Sequence, residues 1–417
     1  MTWTRTEPRT DAPGGRWAMF TALKYPNFRL YWIGQLTSVL GQNMLQVAMF
    51  WLVYQLTNSP LMIALTGVFN SVPTIALTFV GGALADRTDR KKVVAITQAI
   101  QAALYFLIAT LTITGLVEVW HILTFSFFVG VTRAFDQPSR QAMLPHLIER
   151  KDMVYAVALT STIWQLSRLM GPAVTGVLIA WQGPAVAFYV GGLGFVTFLV
   201  LTFFIRLDAP VVRASEKGMG HEILEGLRYI RRNEIVYTLI GMTFFNSVFG
   251  TGSYIALMPV VADDILDVGS QGYGFLQSAG GLGALAGTFM VALLATKQRR
   301  GMQAIGGALS FGLLIIALSI SQWFPATLAI MLLMGLANQF YQTSINTTLQ
   351  MQLPDEFRGR VMGIYGLTWS LNPLGGTVAG AVAAFAGVPF AIAFGGVMVA
   401  GMALAAGLLL PKLRDLE

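Results

Sequence analysis

The chain has 417 residues, 55% of them hydrophobic and 11% charged, with no cysteine. Soluble domains carry roughly 25% charged residues, so these proportions exclude an ordinary water-soluble globule. The missing cysteine also excludes disulfides, thiolate nucleophiles and cysteine-held metals.

In chain order, residues 1–27 form a polar tail dotted with Pro and Gly, unlike a cleavable signal peptide. Apolar stretches then begin at about Tyr31, Leu61, Val93, Trp120, Met153 and Ala185. After a polar break they resume at about Ile235, Tyr273, Met302, Ala326, Val361 and Pro389. Each runs roughly 18 to 28 residues, enough to cross ~30 Å of hydrocarbon. Segments this long and unalternating satisfy their own backbone in lipid only as helices. The predicted fold is an all-α integral membrane protein of about twelve transmembrane helices.

The charges sort by loop. Lys and Arg fall in the N-terminal tail, the 86–92 loop, the 133–151 loop, the 206–232 linker, 297–300, 358–360 and the C-terminal tail. The one exception is Arg168, inside a span. The opposite loops carry Glu118, Asp263, Asp264 and Asp267. Basic residues mark the cytoplasmic side, which puts both termini in the cytoplasm and the protein in the inner (plasma) membrane. The net charge of +7 thus reflects topology, and no nucleic-acid partner is expected.

The organisation expected is a six-helix bundle over 28–205, a cytoplasmic linker at 206–234, a second six-helix bundle over 235–410, and a tail at 411–417. Within the linker, Leu224, Leu227 and Ile230 lie on one side among charges, as in an interfacial helix; a solvated linker helix is the alternative. The halves echo each other, Gly171-Pro172-Ala173-Val174-Thr175-Gly176 against Gly375-Gly376-Thr377-Val378-Ala379-Gly380. Two pseudo-symmetric repeats of this kind place a site at the midplane between halves that rock.

Polar stripes mark the expected cavity, because amphipathic faces in a bilayer turn away from lipid. They are Gln35, Ser38, Gln42 and Gln46; then Thr243, Asn246 and Ser253; then Gln339, Gln342 and Asn346. Phe128, Phe244, Phe249, Tyr341 and Trp369 could supply apolar walls. Ordinary helix packing is the alternative for each. Arg168 shares a helix face with Ser161 and Gln165, and Trp164 could stack on it. A charge at that depth faces a cavity or a partner; it is either an anchor for an anionic substrate or a helix-to-helix bond. No span holds a midplane carboxylate, so the proton-coupling candidate is Asp136, with an ion pair to Arg133 or Arg140 as the alternative. No phosphate-binding loop is present, and the three histidines lack metal-ligand spacing, so no cofactor or metal is expected.

The run Gly82-Ala83-Leu84-Ala85-Asp86-Arg87-Thr88-Asp89-Arg90-Lys91-Lys92 resembles the loop signature between spans two and three of the major facilitator superfamily, with Asp89 where glycine is common. Asn27-Phe28-Arg29, Tyr54 through Thr57-Asn58-Ser59-Pro60, Phe135-Asp136-Gln137-Pro138-Ser139-Arg140, Arg168 before Gly171-Pro172, and Tyr273-Gly274 ahead of Gly280-Gly281-Leu282-Gly283 are similar to the efflux branch. That branch holds macrolide efflux proteins and the enterobactin exporter, of the transmembrane secretion effector type. The resemblance implies that spans one, four, seven and ten line the cavity. It also implies that Gly82, Asp86, Arg87, Arg90 and Lys91 form a gate latching the cytoplasmic ends of the halves. Gly171-Pro172 matches the core of an antiporter motif, with Ser167 replacing its leading glycine. Relatives carry an acid after the glycine of span one, where this chain has Gly41-Gln42.

The expected function is export of small amphipathic molecules, drug or siderophore-like, by proton antiport and alternating access. The partners are the substrate, protons and the lipid bilayer, and the chain is expected to be a monomer. The alternatives are an uptake carrier or lipid flippase on the same fold, or a non-transporting membrane scaffold or sensor. No nucleophile, base and orienting group cluster as an enzyme would require.

Overall fold

The computed structural model describes residues 18–206, 219–294, 300–410 and 414. These are mostly helical, with short connections and no strand among the described residues. The first helices are α1 (Pro26–Thr57), α2 (Pro60–Arg87), α3 (Arg90–Ile113), α4 (Val119–Met143), α5 (Met153–Gln182) and α6 (Pro184–Phe204). Then come α7 (Met219–Arg232), α8 (Glu234–Phe245), α9 (Gly252–Ile255) and α10 (Met258–Val260), followed by α11 (Gly269–Leu294) and α12 (Arg300–Ile320). The last four are α13 (Phe324–Gln352), α14 (Asp355–Trp369), α15 (Asn372–Ala386) and α16 (Val388–Leu409). The expected tail at 1–17 and the linker at 207–218 lie outside the described residues. So do 295–299 and most of 411–417.

Eight stretches are long and apolar enough to cross a membrane, among them Pro26–Thr57, Arg90–Ile113 and Glu234–Ile265. The helices α4, α5 and α11 are as long but more polar or glycine-rich, as suits elements packed inside a bundle. Two expected spans are irregular. The one beginning near Val361 breaks at Ser370 and Leu371 into α14 and α15. Pro373 at the start of α15 offers no N–H and its ring opposes continuation. The one beginning near Ile235 contains π turns at Asn246–Thr251 and Val261–Ile265. Ser247 Oγ, on the first π turn, lies 2.6 Å from both the Thr368 carbonyl and Asn372 Oδ1, and so bridges the break.

The 133–151 loop of the sequence reading is largely helix. Arg133 and Arg140 lie within α4, with Pro138 inside it. The chain leaves the α-helix only after Met143, through 3-10 turns at Leu144–His146 and Arg150–Asp152. Leu224 and Leu227 of α7 are exposed while Ile230 is buried. The helix is held to α14 by a 2.8 Å Arg360–Glu225 pair and a Tyr229–Phe357 stack.

Short connections make the long helices antiparallel, which gives the bundle an acidic end (Glu118, Asp263, Asp264, Asp267) and a basic end (Arg90, Lys91 and Lys92 at the start of α3, with Arg150 and Lys151 in the 144–152 connection). In the first half, α1 packs on α5 and α6, α2 on α4, and α3 on α4 and α6; in the second, α13 packs on α11 and α12, and α12 on α16. Contact between the halves runs through α5 with α11, α2 with α15, and α1 with α10.

The repeated glycines make matching contacts. Gly171 sits against Asn43 of α1, and Gly375 against Val248 of the π turn that follows α8. Gly176 touches Ser270 and Gly274 of α11, and Gly380 touches Leu61 of α2. A Cβ at Gly176 would stand 2.6 Å from the Ser270 carbonyl, and one at Gly380 2.8 Å from Leu61 Cα. The small residues thus let backbones meet across the halves.

Candidate functional site

A cavity of about 190 Å³ lies in the basic-end part of the first half. Tyr31, Gln35 and Gln42 reach it from α1, Gln101 from α3, Thr160 and Trp164 from α5, and Phe195 from α6. Its charged residues, Arg133, Asp136 and Arg140, all come from α4 with Gln137 and Gln141. Helical spacing sets Arg133, Asp136 or Gln137, and Arg140 on one face.

Asp136 and Arg140 form the wall. Arg140 Nε lies 2.6 Å from Asp136 Oδ2, and both side chains are about nine-tenths buried. The other carboxylate oxygen, Oδ1, accepts from Thr97 Oγ1 and Gln98 Nε2 of α3, each at 2.8 Å. Arg140 Nη2 donates to Ser38 Oγ at 2.9 Å, and Ser38 donates in turn to Gln98 Oε1 at 3.1 Å. The Arg140 guanidinium stacks over the Phe198 ring, 4.6 Å from its centroid. A buried ion pair is sustained only when its remaining lone pairs and protons are also met. Thr97 and Gln98 of α3 and Ser38 of α1 meet part of them, while Arg140 Nε, close to the carboxylate, has no aligned hydrogen bond. Of the two pairings open in the sequence, the one formed is with Arg140.

Among the expected cavity residues, Gln35 and Gln42 line this space. Gln35 is buried and its Oε1 has no partner. Gln46 is exposed, and Phe128 is exposed beside Phe127. Gln165 is half-buried and Arg168 exposed on α5; neither lines the cavity. Trp164 turns to the cavity, and among the described residues no ring lies over Arg168. The Arg168 backbone carbonyl instead meets Gly281 of α11. Asn246 is buried on its π turn with both amide atoms unpartnered. Phe249 packs on Phe245 and Phe394. Gln342 donates to Asn338, Asn346 accepts from Gln350, and Trp369 meets Tyr365 edge-on. Of these positions, Gln35, Gln42 and Asp136 line this cavity.

At the expected gate, the Gly82 backbone is open, with nothing within 4 Å of a built Cβ. The side chains of Asp86 and Arg87 lie outside the described residues. Arg90 Nη1 donates to the Ala142 carbonyl at 3.1 Å and lies 2.7 Å from His146 Nε2. Lys91 Nζ donates to the Phe203 and Ile205 carbonyls at the end of α6, where a cation complements the helix dipole. Asp89 caps α3, accepting from the Lys91 and Lys92 backbone N–H groups; a glycine there would lack the cap.

At the same end, Asp152 accepts from Tyr25 Oη at 2.7 Å and pairs with Lys24 Nζ at 2.7 Å. The bond from Lys24, then that from Tyr25, hold the Asp152 carboxyl below its ordinary range. At the acidic end, the halves meet through Trp51, stacked on Tyr273 with centroids 6.0 Å apart, and through Tyr54, bonded to Asp263 and Asp264.

Sequence reasoning missed Arg133 and Arg140 as site residues, because a polar, proline-containing run reads as a loop. Their helical spacing with Asp136 was the signal that could have found them.

The family described as transmembrane secretion effector matches residues 17–417. Macrolide efflux protein A of Streptococcus pyogenes is 23% identical over 84% of this chain and 89% of its own length. The enterobactin exporter EntS of Shigella boydii is 24% identical over 86% of this chain and 84% of its own. A bacterial homologue of the human lysosomal transporter Spinster, solved inward-facing and unoccupied, superposes with a TM-score of 0.71 at 14% identity. That match covers 93% of this chain and 98% of the other.

Proposed function

The chain belongs to the transmembrane secretion effector family of transporters, and from that premise we propose that it exports small amphipathic molecules by proton antiport and alternating access. The observation that carries this reading is a difference between the two ends. Tyr54 with Asp263 and Asp264, Trp51 with Tyr273, and Gly380 with Leu61 join the halves at the acidic end. The polar cavity lies toward the basic end. With basic loops cytoplasmic, this is an inward-facing state, closed outside, in an inner-membrane protein with both termini cytoplasmic.

In this reading 28–205 and 235–410 are two pseudo-symmetric six-helix bundles, twelve transmembrane helices in all, joined by the cytoplasmic linker 206–234. They work as a monomer. The matching contacts of the Gly171–Gly176 and Gly375–Gly380 runs support that symmetry. Gly82, Asp86, Arg87, Arg90 and Lys91 latch the cytoplasmic ends when the protein turns outward, since charged contacts made in one state and broken in the other give two discrete states. Asp136 is the coupling carboxylate: a proton taken there releases Arg140. The cargo is drug-like or siderophore-like, as the names of the relatives suggest.

The test is accumulation of ethidium, erythromycin and a catecholate in inside-out vesicles, with and without an uncoupler. Gradient-driven uptake that is lost in Asp136→Asn and Asp86→Asn supports the reading. Uptake indifferent to the uncoupler removes antiport, and movement only in the opposite sense makes the protein an importer.

A further inference from the structure

We propose that Arg133 is an anion-binding residue, and that the cavity takes an amphipathic ligand through a carboxylate or another singly charged oxyanion. The proposal rests on the exporter reading in one respect: the ligand is the cargo.

The three charges of the cavity differ in what they already hold. Asp136 has both oxygens occupied, one by Arg140 and the other by Thr97 and Gln98. Arg140 is spent on Asp136, Ser38 and the Phe198 ring. Arg133 has neither a hydrogen bond nor an ion pair among the described residues, and Asp136 acts on it only through its field. Two cations and one anion leave the cavity one positive charge in excess, and that charge resides on Arg133.

No neighbouring element offsets it. The residues that α1, α3, α5 and α6 bring to the space, Gln35, Gln42, Gln101, Thr160, Trp164 and Phe195, are all uncharged. A desolvated charge without a partner is costly, and Arg133, half-buried, is reached by water only in part. An oxyanion would offset that charge, and the guanidinium presents a planar fork suited to a carboxylate.

An independent observation points the same way. Gln35 lines this space while only 5% exposed, and its buried Oε1 finds no partner. The two ends of an amide are exchangeable by rotation, so Gln35 can turn an N–H toward the same oxyanion. Trp164, Phe195 and Tyr31 supply flat apolar faces for the rest of an aromatic acid. A cationic ligand would meet the excess charge instead. Arg168, the one span cation evident in the sequence, stands outside this space.

The experiment is equilibrium binding of radiolabelled 1-naphthoate and of its neutral isostere 1-naphthamide to the full chain in lipid nanodiscs. Gradient-driven transport of ethidium, erythromycin and the catecholate is measured in parallel in vesicles. Naphthoate is expected to bind saturably and more tightly than naphthamide. Arg133→Gln is expected to weaken naphthoate about tenfold to a hundredfold, the range for a hydrogen bond to a charged group, and to leave naphthamide unchanged. Arg133→Lys retains part of the preference, because it keeps the charge but not the fork. The proposal is overturned if naphthoate shows no saturable binding or no preference over naphthamide. It is equally overturned if Arg133→Gln changes neither ligand or weakens both alike, or if Arg168→Gln abolishes the preference instead. Gradient-driven transport of any of these compounds that persists in any of these cases keeps the exporter reading while the anion assignment falls; absence of gradient-driven transport of all of them in the wild type removes the exporter reading by itself.

Discussion

The Tyr54 hydroxyl on α1 donates to Asp264 Oδ1 at 2.5 Å, fastening one half of the chain to the other at the acidic end. Asp263 Oδ2 lies 3.1 Å from the same hydroxyl. One hydroxyl proton serves two carboxylates, and the bond must break for this end to open. Tyr54→Phe should weaken closure by about 1 kcal/mol, roughly fivefold in a two-state equilibrium. The chain has no cysteine, so spin labels on Leu56→Cys and Asp267→Cys report without background. Pulsed EPR should show a longer-distance population growing in Tyr54→Phe, and an unchanged distribution would deny the latch.

Removing one member of the buried pair should cost more than removing both. Arg140→Ala leaves the buried Asp136 carboxyl without its main counter-charge, at about 3–5 kcal/mol. Asp136→Asn with Arg140→Met removes both charges and should recover most of that. Thermal unfolding of the three proteins in detergent gives the comparison.

Asp152 ties the start of α1 to the start of α5. Its carboxyl is held below the ordinary 3.8, first by the bond from Lys24 and then by that from Tyr25. A depressed carboxyl contributes stability that is complete above the unfolded value and lost as pH falls through the folded one. Melting temperature should therefore drop as pH falls below about 4, and Lys24→Met should flatten that drop. Equal slopes in the two proteins would assign the acid loss to other groups.

Gly176 meets Gly274 across the halves, with a built Cβ 3.0 Å from the Gly274 Cα. Gly176→Val should cost roughly 1–3 kcal/mol of overpacking and fall on the acidic-end-closed state. The EPR pair should again shift to longer distance. Gly82→Ala, where a Cβ meets nothing within 4 Å, should leave stability unchanged.

How much was legible follows from what each residue type reveals by itself. Long apolar runs announce helices, and the Gly171–Gly176 and Gly375–Gly380 motifs, an echo in the sequence, make matching close approaches in the structure. The left-handed turns at Gly183 (φ 82°) and Gly387 (φ 87°) belong to the same repetition, and only glycine enters that region freely. The site was read less well. Polar stripes on α8 and α13 looked like cavity walls, yet Gln342 and Asn346 bond to residues one turn away on their own helix. A stripe shows that a face avoids lipid, and a neighbouring amide meets that requirement as well as a cavity does.

The sequence by itself determined the solvent, the helical class, the sorting of charge between two ends and the family, because each depends on composition, period or local motif. The tertiary structure decided which charges are spent and which are free. Hydropathy along one chain cannot separate a solvated arginine from one buried against three other helices. Only packing brought Thr97, Gln98 and Ser38 to Asp136 and Arg140, and so left Arg133 as the unpaired cation of the cavity.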